Sequence, residues 1–376
     1  MAGSHFLSSR GDTVNEIETE FGMPQNISLI RMSAMTESSA VTDHVNALAD
    51  TQRLASRWFA ANHCDLLLFL GDRWELWGVT LPAFLHGIPL AHISGGEVTE
   101  GVIDDAVRHA HTKISSLHFA ATDTYADNLS GMGEEDWRIT VTGECGLDQI
   151  HDFDFASSDS IKKNYDLDLK KETLLVTFHP STLDFETSVA AQIDVLLQAL
   201  VPFMGRQLVF TAPGVEKGSE VILGAIQDFV AKHPGNHFIP HFGSRNYLTV
   251  MRAAKVVIGN SSSGLIEASS LGVPAINVGK RQKNRVAADS VQHVDYDAKD
   301  ISRAIEHALT SDFQNFARNC PNPYDPFKDG KNSDRIIEAL TNALKRLPRE
   351  RLLVKKFDTK IRRDQWNQLL NKTSAI

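Results

Sequence analysis

At 376 residues the chain is about two to three times the length of an ordinary domain, so two domains are expected. Its composition, 42% apolar and 23% charged, supplies a core for each, and a net charge of −9 argues against nucleic acid or an anionic membrane, which favour a basic face. Three isolated cysteines (Cys64, Cys145, Cys320) exclude a disulfide framework or a CxxC metal site. No run approaches the roughly 18 apolar residues of a membrane span, no signal-peptide pattern opens the chain, and the expectation is a soluble cytoplasmic protein.

Along the chain, short apolar runs alternate with longer helix-period segments. Strands are expected at 27–30, 66–70, 90–93, 118–121, 139–142, 174–177, 208–211, 256–258 and 275–278, and helices at 39–61, 76–86, 104–114, 188–201, 218–232, 247–254 and 264–271. This alternation argues for parallel sheets covered on both faces. Residues 152–171 are polar without apolar periodicity, and the interdomain hinge is expected there. A helix is expected over 333–346, capped by Ser333, with a basic tail after it. Residues 1–26 hold no buried strand, so the first domain is expected to lack its first βα unit.

Several strand ends carry chemistry. After the strand at 256–258 come Gly259, Asn260, Ser261, Ser262, Ser263 and Gly264, then a helix with Glu267 one turn in. Small residues admit a ligand to the backbone, and the N–H groups of a helix start face an anion. Glu267 could accept the two hydroxyls of a ribose. A Ser-rich cap without a ligand fits the same residues. Gly279, Lys280, Arg281 and Gln282 end the next strand, so Arg281 either faces a diphosphate or is solvated. In the first half Gly71, Asp72 and Arg73 follow one strand, and Gly95, Gly96, Glu97, Asp104 and Asp105 follow another. Carboxylates converging there would raise one another's pKa for acid and base work; Asp72 as a cap and Asp104–Asp105 as helix-dipole acids are the plainer alternatives. His179 and His241 sit just beyond strands, as surface residues or ligand contacts. The 15 histidines show no zinc spacing, so no metal is expected.

In order and spacing, Gly71-Asp72-Arg73, Gly95-Gly96-Glu97, Ile103-Asp104-Asp105 with Arg108-His109, Phe178-His179-Pro180, the Asn260 serine loop with Glu267, and Gly279-Lys280-Arg281-Gln282 resemble the UDP-N-acetylglucosamine 2-epimerase family, in particular its hydrolysing branch from sialic and legionaminic acid biosynthesis. The resemblance spans residues 10 to 345. It implies an α/β, GT-B-like fold of two Rossmann-like doubly wound domains with a cleft between them, residues 1–163 and 164–349, with 350–376 packing back on the first. It implies UDP on the second domain, the diphosphate at Ser261 and Ser262 beside Asn260, the ribose at Glu267, and His179, His241, Arg281 and Arg73 as further contacts. Asp72, Glu97, Asp104 and Asp105 become the catalytic acids of a UDP elimination through a 2-acetamidoglycal followed by water addition, giving UDP and N-acetylmannosamine from UDP-N-acetylglucosamine, with UDP-2,4-diacetamido-2,4,6-trideoxyglucose as the alternative UDP-amino-sugar substrate. No cofactor, no nucleic acid and no membrane partner is implied, and the family forms homo-oligomers, dimers or tetramers. The chain departs from the pattern in two places: Ser94 stands where a Glu is common, leaving Glu97 as the acid, and the opening strand with its Gly-x-Arg loop has no match. A GT-B glycosyltransferase, a non-hydrolysing epimerase and a UDP-binding remnant without turnover are the alternatives.

Overall fold

The computed structural model describes residues 2, 3, 28, 30, 32–34, 40–151, 154–214 and 216–356. The chain divides into two units by its internal contacts: one gathers Met1–Thr51, Val98–Asp105 and Gly146–Gly330, the other Gln52–Glu97, Ala106–Cys145 and Lys331–Ile376. Strands β1 (Ala2–Gly3) and β2 (Ser33–Ala34) form a short parallel pair. Residues 28 and 30 lie outside any strand, and the rest of the strand expected at 27–30 falls outside the described residues, as do residues 4–27, on which the expectation of a shortened front rests.

The second unit is built on a four-stranded parallel sheet, β3 (Leu67–Leu70), β4 (Leu90–Ile93), β5 (Leu117–Ala120) and β6 (Ile139–Val141), in that spatial order. Ala91, Leu117 and Phe119 of the inner strands pack against Ile336, Ala343 and Leu352, supplied by the helices Asn332–Arg346 and Arg349–Leu353. Two buried polar groups tie this late segment down. Arg138 is 1% exposed and satisfies all five guanidinium donors: Nε to Glu135, and the two Nη to the carbonyls of Ser116, Arg351, Leu352 and Val354 at 2.8–3.1 Å. Glu134, with no exposed side-chain surface, accepts His118 (2.9 Å), Lys113 (2.6 Å) and Lys355 (2.5 Å). Burial alone would raise its pKa, but these donors outweigh burial and hold the carboxyl down at about 2.

The first unit carries a six-stranded parallel sheet: β7 (Thr173–Thr177), β8 (Gln207–Thr211), β9 (His237–Ile239), β10 (Val256–Gly259), β11 (Ala275–Val278) and β12 (Val291–Val294). Their spatial order is β12-β11-β10-β7-β8-β9, so the winding reverses between β7 and β10. The period of two sorts each strand's side chains into two cores. Leu174, Val176, Leu208, Phe210, Val256, Ile258 and Ile276 face the helices Val189–Leu200, Ser219–Lys232 and Ala298–Ala308. Leu175, Val209, Val257 and Ala275 face Ser158–Tyr165, Ser244–Ala253 and Ser263–Ser270.

Two expected boundaries move. The unit division falls at Gly146 and Lys331, ahead of 163/164 and 349/350. Part of the expected hinge at 152–171 is the helix Ser158–Tyr165, capped by Ser157, whose Ile161 is wholly buried with Leu167 in the six-stranded unit. Its core-facing side chains, Ile161 and Tyr165, are too few to register as periodicity. Ser333 lies inside its helix rather than capping it: the cap position is Lys331, and Asn332 donates to the carbonyl of Glu144 at 3.1 Å. Among the described residues no helix is long and apolar enough to cross a membrane.

Candidate active site

In an open parallel sheet the crevice at the carboxyl ends of the strands, where the winding reverses, is the natural ligand position. Here that point lies between β7 and β10, and the loops after both strands are locked to each other. The Asn260 amide accepts the His179 N–H (2.7 Å) and donates to the His179 carbonyl (2.8 Å), so one side chain fixes both loops. Gly259 makes the approach possible. Its φ is +135°, and a Cβ there would stand 1.9 Å from the Thr177 carbonyl oxygen.

His179 accepts the Gly214 N–H at Nδ1 (2.9 Å), which puts the proton of its neutral ring on Nε2 as a donor. Arg281 reaches the same place from β11, donating to the Asn260 carbonyl (3.2 Å) and pairing with Glu216 (3.1 Å); Gln282 joins at the same carbonyl (2.9 Å). Ser261 and Ser262 stand at the start of Ser263–Ser270, and Ser262 in the cap position makes no side-chain cap bond. Glu267, one turn in, has a buried Oε2 without a hydrogen-bond partner in the structure. Burial raises its carboxyl pKa, opposed by its own backbone N–H and by the charge of Arg285. His241 lies exposed beyond β9, two strands away from β7.

Glu267 sets up an opposed pair of effects. A raised pKa in the folded chain means that the ionised form costs stability at pH 7, a cost relieved as pH falls through the folded value. Glu267→Gln is therefore expected to raise the unfolding midpoint at pH 7 by about 2–4 °C. The gain should shrink on acidification, and, if this oxygen accepts the hydroxyls of a ribose as the family resemblance implies, uridine affinity falls about tenfold. Thermal scans at pH 5 and 7 with uridine calorimetry check it; a lower midpoint with unchanged affinity would refute both parts.

The second unit holds another group of the candidate residues. Gly71, at φ +85°, turns the chain after β3 and presents Asp72. His92 donates from Nε2 to the Gly71 carbonyl (2.8 Å) and stacks on Phe69. Burial drives its pKa well below the ordinary value, so a neutral ring braces the turn. Asp72 forms an ion pair with Arg108, which is 1% exposed and also donates to the Glu97 carbonyl at 3.0 Å. Arg108 thus joins the Asp72 carboxylate to the Glu97 backbone, because the buried face of Asp104–Ile114 carries Arg108, His111 and Thr112 instead of apolar residues. Arg73 pairs with Glu75 (2.8 Å), two residues on in its own unit. Ser94 adopts φ +64° and donates to Glu144 (3.2 Å), which brings a carboxylate from the end of β6 to the position where Ser94 itself offers none.

Asp104 and Asp105 belong to Val98–Asp105, which packs within the six-stranded unit. Asp105 accepts the Thr99 N–H (2.6 Å), Glu100 is bound by Asn284 (2.7 Å) and Lys283 (3.0 Å), and the Gly101 carbonyl accepts from Leu183. A Cβ on Gly101 would lie 2.4 Å from the Lys280 carbonyl oxygen, so this segment rests on the Arg281 loop. Glu216 and Tyr247 were absent from the sequence-based site, and Arg108 and Gln282 entered it only as members of motifs, with no role assigned. Arg108 carried a further signal, a charge three residues ahead of His111 on a helix face that has to be buried. Among the described residues no group of three or more His, Cys, Asp or Glu is placed to hold a metal ion.

Two Rossmann-like units, one with a loop-lined crevice at its winding reversal, define an α/β protein of the GT-B class. The chain belongs to the UDP-N-acetylglucosamine 2-epimerase family, whose model matches residues 1–341. It is 32% identical to the GDP/UDP-N,N'-diacetylbacillosamine 2-epimerase (hydrolyzing) of Campylobacter jejuni over 83% of this chain and 79% of that protein. It is 31% identical to the UDP-N,N'-diacetylbacillosamine 2-epimerase (hydrolyzing) of Legionella pneumophila, over 90% and 85% respectively. Its fold is similar to that of UDP-GlcNAc 2-epimerase from Neisseria meningitidis bound to UDP-GlcNAc, with a TM-score of 0.73 at 16% identity over 91% of this chain and 98% of that one.

Proposed function

We propose that the protein is a hydrolysing 2-epimerase of a UDP-2-acetamido sugar, with UDP-2,4-diacetamido-2,4,6-trideoxyglucose (UDP-N,N'-diacetylbacillosamine) as its substrate. The observation that carries the nucleotide part is the buried, unpartnered Glu267 oxygen one turn behind the serine loop at the winding reversal. In this reading Ser261, Ser262, His179 and Arg281 hold the diphosphate, with Asn260 locking their loops, and Glu267 accepts the ribose hydroxyls. His241 and Arg73 are assigned to the nucleotide on the family resemblance alone. The choice of sugar is supported by the Campylobacter and Legionella relatives, which act on that class.

The chemistry assigned to the acids is an elimination and a hydration. A carboxylate takes the C2 proton; its electron pair forms C1=C2, and the C1–O bond breaks with its electrons going to the β-phosphate of UDP. Water then adds across the 2-acetamidoglycal, hydroxyl to C1 and a proton to the opposite face of C2. Two proton transfers on opposite faces need more than one acid–base group, which is the role proposed for Asp72, Glu97, Asp104 and Asp105. Arg108 holds Asp72 and the Glu97 backbone in register. The three free cysteines suit a cytoplasmic setting.

UDP-N-acetylglucosamine is the second reading, favoured by the Neisseria meningitidis UDP-N-acetylglucosamine 2-epimerase, 29% identical over 82% of this chain. Incubating the chain with each nucleotide sugar in D2O separates them. The expected result is free UDP with the 2-epimer carrying one deuteron at C2, faster from the diacetamido sugar. Preference for UDP-N-acetylglucosamine would reverse the assignment. A UDP-linked epimer, transfer that needs an acceptor, or UDP binding without turnover would reject hydrolysis.

A further inference from the structure

Behind the serine loop runs a file of hydroxyls that no part of the proposed chemistry uses. Thr211 Oγ1 lies 2.7 Å from Thr177 Oγ1, which is 3.5 Å from the Tyr247 hydroxyl; that hydroxyl lies 2.8 Å from Ser263 Oγ, and Ser263 Oγ donates to Ser261 Oγ at 3.0 Å. Each hydroxyl owns one hydrogen, which sets the direction of the whole file. Ser263 spends its hydrogen on Ser261, so Tyr247 must be the donor to Ser263. Tyr247 can then only accept from Thr177, which in turn accepts from Thr211. All four hydrogens point the same way, toward Ser261. Ser261 Oγ also accepts, weakly, from the Ser263 N–H (3.4 Å). Ser261 thus takes in the hydrogen at the end of the file, and its own O–H is not spent within it.

We propose that Tyr247 is a positioning residue for the diphosphate: through Ser263 it orients the Ser261 hydroxyl as an anion donor. The inference rests on the nucleotide reading above and adds to it the residue that sets the polarity of the loop. Tyr247 suits the task. It lies on Ser244–Ala253, outside the loop itself, and burial pushes its phenol pKa up, so it keeps its proton across the working pH range. A file of donors also strengthens its last member by mutual polarisation, and Ser261 is that member. A structural role alone would be indifferent to the ligand's charge, whereas a polarity-setting role acts only on the phosphates.

The test is calorimetry of the full chain with UDP and with uridine, using Tyr247→Phe, Ser263→Ala and the double variant. Each single variant is expected to weaken UDP about tenfold, the worth of one charge-assisted hydrogen bond that has lost its alignment. Uridine affinity should stay within about twofold, and the double variant should be no weaker than the weaker single one, because both break the same file. Unchanged UDP affinity in both single variants would overturn the proposal. Equal losses for UDP and uridine, or additive losses in the double variant, would overturn it as well. A wild-type chain that binds uridine but not UDP would remove the diphosphate reading along with it. Tight UDP binding by the wild type with no effect of Tyr247→Phe or Ser263→Ala removes only the role of Tyr247.

Discussion

Asp72→Asn is expected to lower turnover of the UDP-sugar by about a thousandfold, within the span of a lost acid–base group, while UDP affinity changes by less than about twofold. Asparagine keeps the shape and can still accept a hydrogen bond from Arg108, but it cannot take a proton. The affinity should be spared because Ser261, Ser262, His179, Arg281 and Glu267, which carry most of the UDP assignment, belong to the six-stranded unit, and Asp72, like Arg73, to the four-stranded one. Some loss of stability is expected too, since the buried guanidinium of Arg108 exchanges an anion for a neutral amide. Rates should therefore be normalised to the folded fraction. Release of UDP and deuterium exchange at C2 should fall together. A rate within threefold of the wild type would remove Asp72 from the chemistry and leave it as an anchor for Arg108.

Gly259→Ala is expected to be the most damaging single methyl in the six-stranded unit, costing more than about 4 kcal/mol and abolishing UDP binding. Two penalties coincide at this position. A φ of +135° is closed to residues with a side chain, and the new carbon would sit 1.9 Å from the Thr177 carbonyl oxygen and 2.7 Å from the carbonyl carbon. Neither atom can retreat, because Thr177 and Gly259 are paired residues of β7 and β10. Gly264→Ala supplies the contrast. Its added carbon meets Val257 at 3.6 Å and Ala275 at 3.8 Å, ordinary contact, and its φ is not left-handed. That variant should be neutral or stabilised by about 0.5–1 kcal/mol. Urea titrations of the two variants measure the difference, and comparable stabilities would contradict the packing described here.

The inner strands were legible in the sequence because a strand buried on both faces must be apolar throughout: β4, β5, β7, β8, β10 and β11 were all expected within a residue or two. So were β3 and β6, the edges of the four-stranded sheet, expected at 66–70 and 139–142, but the edge strands of the six-stranded sheet were not. β9 and β12 are only partly buried, and His237, Gln292 and His293 break the apolar run that reveals their neighbours. The same physics governs the site. Glycine-rich strand ends were readable, and His179, Asn260 and Arg281 do meet at one carbonyl cluster. The role of Arg108, named only within a motif, and the place of Tyr247 were not readable. Their importance comes from partners 36 and 16 positions away, brought near by tertiary packing that local spacing does not encode.

The late arrival of Ile336, Ala343 and Leu352 on the four-stranded sheet has a consequence during synthesis. Ala91, Leu117 and Phe119 leave the ribosome long before the residues that cover them, with Gly146–Gly330 and all six strands of the larger sheet made in between. At about 5–20 residues per second, that apolar surface waits some ten seconds or more without its cover. The buried Arg138 waits equally long for the carbonyls of Arg351, Leu352 and Val354. The four-stranded sheet is therefore made first and covered last, and a nascent chain stalled before residue 350 would present a sticky face to chaperones.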